Sequence, residues 1–179
     1  MTDSDPIADT RRWLERAVIG LNLCPFAKAV VAKDQVRFVL SDATQPAQLL
    51  ETLGEELVRL RDTDPAELDT TLIVHPQVLP DFLDYNDFLD EADALVVELD
   101  LEGVLQVASF HPRYQFAGTD EDAVENFTNR SPWPTLHLLR EDSVSRAVAA
   151  YPDPGVIVER NVETLQKLGA EGWRKLLDG

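Results

Sequence analysis

Positive charge is scarce in this sequence: 16 lysines and arginines stand against 33 acidic residues, a net charge of −17. That balance repels phosphate backbones and anionic membrane surfaces, so neither nucleic acid nor membrane is an expected partner. Cysteine is nearly absent, and the lone Cys24 excludes an intrachain disulfide and any zinc site built from several thiolates. No run approaches the about 18 consecutive apolar residues of a membrane span. The start, Met1-Thr2-Asp3-Ser4-Asp5, is acidic where a secretory signal is basic and then apolar. A cytoplasmic protein is the expectation. The 8 glycines form neither a GxGxxG nor a GxxxxGK phosphate loop, and no GxSxG nucleophile elbow occurs. From Asp81 to Glu102 there are nine acids and no base, without the glycine and ligand spacing of an EF-hand, which reads as a solvated face.

What is present suits a globular chain, with 44% hydrophobic and 27% charged residues, and 179 residues fit one α/β domain over 1–179. Asp5-Pro6 predicts a capped helix with Leu14, Ala17, Val18 and Leu21 on its apolar face. Gly20 and Asn22 weaken it, leaving Cys24 at a break. Short β-branched runs predict strands over 36–40, 70–74, 104–110 and 135–139. Between them, Leu49, Leu50, Leu53, Leu57 and Leu60 form a core-facing stripe on a helix starting near Pro46, and residues 80–94 predict another. Asp142 or Ser143 could cap a helix after the fourth strand, and 156–168 and 173–177 read as helical. The order β-α-β-α-β-β-α, with added N- and C-terminal helices, predicts a sandwich on a mixed four-stranded sheet: the first three strands run parallel and the last two pair antiparallel. The segment 112–134 is longer than a connection needs, which marks it as functional or as hiding a short helix over 120–127.

Only three histidines occur, and two end strands in the same way, Val74-His75-Pro76 and Phe110-His111-Pro112. If those strands are parallel, both reach the carboxyl edge of the sheet, where open α/β sheets bind ligands. His137, near the start of an antiparallel fourth strand, would join them. Three imidazoles with an open position suit zinc, iron or manganese, and His111 could instead act as a general base. The bland alternative is that strand-end histidines donate to loop carbonyls. Arg113 and Arg130 bracket the long loop, and with Tyr114, Asn126 and Asn129 they could hold a small anionic molecule. Equally, the arginines could pair with Asp120, Glu121, Asp122 or Glu125 and pin the loop. Cys24-Pro25-Phe26 is similar to a glutaredoxin motif, but Ala27 stands where the resolving thiol belongs, so two-thiol exchange is excluded. Cys24 is left as a structural thiol or a lone nucleophile.

Three segments, Gly20–Ala27, Phe110–Gly118 and Asn129–Glu141, resemble the bacterial domain-of-unknown-function family number 1415 over nearly the whole chain. The resemblance implies a single-domain bacterial protein and supplies no reaction. Three roles follow from the residues: an enzyme acting on a small anionic metabolite at a His/Arg site, with or without a divalent metal; a thiol enzyme using Cys24; or a non-catalytic module whose acidic surface docks a basic protein.

Overall fold

The Asp5 carboxylate accepts the Ile7 and Ala8 N–H groups at 3.0 and 3.3 Å, with Pro6 in the first helical position, so α1 (Pro6–Trp13) starts where its cap dictates. The computed structural model describes residues 4–151, 153 and 155–178; the stretch Met1–Asp3 weighed in the sequence lies outside them. After Trp13 the helix widens into a π-helical segment, Leu14–Ile19. Gly20 caps it, and only glycine fits there, since a Cβ would stand 2.2 Å from the Arg16 carbonyl oxygen. A short helix not foreseen from the sequence, α2 (Ala27–Ala32), follows Cys24; it has no side-chain cap and buries no residue, so neither a cap nor a stripe announced it.

Strands β1 (Val36–Leu40), β2 (Thr70–Val74), β3 (Leu105–Phe110) and β4 (Thr135–Arg140) form one sheet in the order β1-β2-β4-β3. β1 and β2 are parallel, while β4 lies between β2 and β3 and is antiparallel to both, so the first three strands share one direction. This is the expected mixed α/β sheet. Leu72, His137 and Ala108 lie abreast across its middle.

Helices cover both faces. α3 (Pro46–Asp62) begins with Pro46 and a reciprocal Gln45–Gln48 cap, and α4 (Phe82–Glu98) is capped by the Asp81 carboxylate. They pack on the face presenting Ile73, Leu105, Leu136 and Leu138. Leu49, Leu53, Leu57 and Leu60 are fully buried there; truncating one such leucine typically costs about 2–5 kcal/mol. On this side Glu56 is buried and receives a two-pronged pair from Arg37, at 2.9 and 3.2 Å. The opposite face carries Phe38 and Phe110 under Trp13, Leu165 and Trp173.

α5 (Glu141–Ala149) continues directly from β4 and has no side-chain cap. The cap expected from Asp142 or Ser143 does not form, because the helix already starts at Glu141 and both lie within its first turn, where the Ser143 hydroxyl donates to the Asp69 carboxylate at 2.6 Å. α6 (Gly155–Asp178) bends at Gly169, whose φ of 68° interrupts the helix between the two stretches expected from the sequence. No helix among the described residues is long and apolar enough to cross a membrane.

Candidate functional site

Parallel β2 and β3 deliver His75 and His111 to the same sheet edge and, by the alternation of strand side chains, to the same face. There both rings pack on Tyr85 of α4, with centroids 5.8 and 4.9 Å away, and Phe82 closes over His111 at 5.5 Å. Both imidazoles are fully buried. The Tyr85 hydroxyl donates to the Thr135 carbonyl at 2.7 Å and accepts the Phe110 N–H at 3.0 Å, which ties α4 to the ends of β3 and β4. Burial holds the tyrosine's pKa well above its ordinary value.

The hydrogen bonds assign the protons. His111 accepts the Arg113 N–H at Nδ1, 3.0 Å, so Nε2 carries the proton and donates to the Leu79 carbonyl at 3.1 Å. Both its nitrogens are engaged, and burial lowers its pKa. His75 donates from Nδ1 to the Val78 carbonyl at 3.1 Å, and its Nε2 lone pair is buried with no hydrogen-bond partner. Burial pushes the His75 pKa from 6.5 down to about 4, so the ring is neutral near pH 7.

His137 does not join them. It lies two residues into β4 and on the other face, with its ring 5.8 Å from Phe110. The Thr70 hydroxyl donates to the Leu138 carbonyl and receives the His137 Nε2 proton at 2.7 Å. The side-chain period of two is the reason: strand direction brought the start of β4 to the expected edge, but parity turned position 137 away from positions 75 and 111. Among the described residues, no group of three His, Cys, Asp or Glu is arranged to hold a metal ion.

The loop between β3 and β4 is held by the residues expected to hold a ligand. Asn126 is fully buried within a 3-10 helical stretch, Val124–Asn129. Its Oδ1 accepts the Phe116 N–H at 2.8 Å and the Thr119 hydroxyl at 3.0 Å, and its Nδ2 donates to the Asp120 carbonyl at 2.9 Å. Asn129 donates to the Ser109 carbonyl, and its own carbonyl accepts the His111 N–H. Arg130 donates to the carbonyls of Tyr114 at 3.0 Å and Glu121 at 2.6 Å. Arg113 pairs with Glu121 at 3.3 Å, both side chains at least 65% exposed, a geometry that contributes little to stability. The Tyr114 ring packs between Phe82 and Phe116, at 5.1 and 4.9 Å. Cys24 is half-buried against the Trp13 cluster, and among the described residues no hydrogen bond joins it to a histidine.

A second feature was not foreseen. On the outer side of the α3–α4 pair a hollow of about 630 Å³ is lined by Ala47, Leu50, Glu51, Gly54, Glu55, Val58, Leu95 and Leu99. The α3 positions recur at intervals of three and four, a second stripe beside the buried one. Leu50, read from sequence as core-facing, belongs to this stripe and is half-buried. The signal was present in the spacing of Ala47, Leu50, Gly54 and Val58, masked because one of its members is a glycine and another an alanine. The nine acids of Asp81–Glu102 are all exposed, and none takes part in an ion pair among the described residues.

The model of a family described as a protein of unknown function, DUF1415, matches residues 5–175. The chain belongs to DUF1415. No curated protein and no solved structure matches it. The DUF1415 match spans both histidine–proline steps, the β3–β4 loop and the two helices of the hollow.

Proposed function

We propose that this DUF1415 chain is a cytoplasmic binding module that takes a positively charged protein on its α3–α4 side. One observation carries the reading: α4, its Asp81 cap and the turn after it present nine exposed acids with no base among them, and the same helix forms one wall of an apolar hollow through Leu95 and Leu99. Clustered carboxylates repel one another unless a cation lies across them; the Asp93 pKa is raised by burial and by the charge of Asp90. A basic partner would relieve that repulsion and speed its own capture. The loop polar groups support the same reading, because Asn126, Asn129 and Arg130 spend their hydrogen bonds on the chain's own backbone.

The test is titration with a lysine-rich peptide at rising salt. Neutralising Asp84, Asp87, Asp90 and Glu91 to their amides should weaken association and flatten its salt dependence. Neutralising Asp120, Glu121, Asp122 and Glu125 is the control of equal charge and should change it less. Equal loss in both variants would reduce the effect to net charge and end the reading.

A second reading, an enzyme acting on a small anionic metabolite, draws on a valence left open at the sheet edge, Nε2 of His75. A neutral imidazole of this kind could accept a proton or bind a divalent metal. Arg113, exposed at the loop, would hold the anion. Elemental analysis of untagged protein beside its His75→Phe variant tests the metal form. Stoichiometric zinc, iron or manganese lost in the variant would support it.

A further inference from the structure

We infer that the α3–α4 hollow is the seat of a basic amphipathic helix from a partner protein, a step that rests on the binding-module reading above. The apolar lining contributed by α3 runs from Ala47 to Val58, and at 1.5 Å per residue it extends about 16 Å, roughly three helical turns. That length fits a helix that lays residues i, i+3 or i+4, and i+7 into a groove. Leu95 and Leu99 form the opposite wall.

Charge identifies what flanks the apolar stripe of that helix. Glu51 and Glu55 line the hollow from α3, and Glu91 and Glu98 stand on α4 at helical spacing from Leu95, all exposed. Lysines or arginines on both sides of a leucine stripe would meet carboxylates on both rims. A second copy of this chain brings another −17 charges, and an anionic lipid surface brings the same sign, so neither matches the rims.

Gly54 supplies an independent sign. It lies inside a 17-residue helix, where glycine costs about 1 kcal/mol relative to alanine. A Cβ at Gly54 would meet Leu95 Cδ2 at 3.6 Å, an ordinary contact, so the chain's own packing does not demand a glycine. What the missing side chain provides is room on the floor of the hollow, which an incoming helix would use.

The experiment uses the full chain and three synthetic probes of about four turns: an amphipathic leucine–lysine peptide, the same peptide with glutamate for lysine, and the lysine peptide in scrambled order. The lysine peptide should bind and gain helical circular dichroism, and the glutamate peptide should not. Gly54→Leu leaves the charge unchanged and fills the floor; it should weaken the lysine peptide at least about tenfold. If that variant fails to fold, Leu50→Gln and Leu99→Gln at half-buried positions make the same measurement. Binding that is untouched by these variants but lost on neutralising the α4 acids would overturn the groove and leave the acidic-face reading intact. Equal binding of a scrambled lysine peptide would overturn the helix. No binding of any lysine peptide would overturn both, and concentration-dependent dimerisation blocked by Gly54→Leu would give the groove to a second copy instead.

Discussion

His75 and His111, from two strands that do not touch, donate to the carbonyls of adjacent residues: Nδ1 of His75 to Val78 and Nε2 of His111 to Leu79, each at 3.1 Å. Between them they hold the turn that leads into α4, in which Leu79 takes a left-handed φ of 57°. A leucine in that region is strained and stays there only when its surroundings hold it. The paired histidines therefore act first as clasps on the β2–α4 connection.

His111→Ala removes the donor to Leu79 and the acceptor of the Arg113 N–H at once. We expect a loss of about 2–4 kcal/mol in urea unfolding, from two hydrogen bonds and the cavity left against Tyr85. A variant as stable as the parent would show that Leu79 holds its conformation unaided.

Acid should weaken the fold in a defined window. Burial lowers the pKa of His75 and of His137 to about 4, against 6.5 for the free side chain. Between those values the unfolded chain binds more protons than the folded one, so stability is complete above about pH 6.5 and is lost as pH falls toward 4. Each histidine contributes a slope of roughly 1.4 kcal/mol per pH unit at most. Urea midpoints between pH 7 and 5, where most carboxylates are still ionised, should show it, and His137→Leu should remove that residue's share of the slope while His75 and His111, both also shifted down by burial, keep the rest.

Arg140 reaches under the end of α3, with guanidinium contacts to the carbonyls of Leu60, Thr63 and Leu68 at 2.7, 2.8 and 2.8 Å. Replacing it with methionine keeps the bulk and removes every donor. About 3 kcal/mol should be lost, with the last turn of α3 the first region to gain hydrogen exchange.

Asn126→Asp exchanges the donor to the Asp120 carbonyl for a charged oxygen facing it. The loop between β3 and β4 should loosen while the sheet survives. Limited proteolysis between 113 and 123, with a fall of about 2 kcal/mol in stability, is the expected result.

Strand and helix positions were legible because their signals are local: β-branched runs at 36–40 and 70–74, Pro46 at a helix start, Asp5 beside Pro6. The common direction of the first three strands followed from the helices between them. The insertion of β4 between β2 and β3 did not, since a loop of some twenty residues permits either side of β3. His137 illustrates how sharp that limit is: its strand reached the expected edge, yet one residue of parity decided its face. Arg130 stands out in a chain short of cations and Asn126 as a neutral hydrogen-bonding group beside it, but whether a polar group serves a ligand or a backbone carbonyl depends on the fold of the loop, which no residue spacing encodes. Arg113 pairs with Glu121 at an exposed position, so the pairing and an anion are compatible uses of the same side chain.

The two apolar layers differ in when they can be completed. The layer under α3 and α4 draws its buried residues from Ala43 to Leu138. The layer on the other face joins Trp13 and Leu14 to Leu165 and Trp173, across more than 150 residues of chain. During synthesis the first half of that second layer must wait, with its tryptophan unsheltered, until the last helix emerges. The interval before closure is when the growing chain is most exposed to wrong association, and the heavy acidic charge keeps neighbouring copies apart while it lasts.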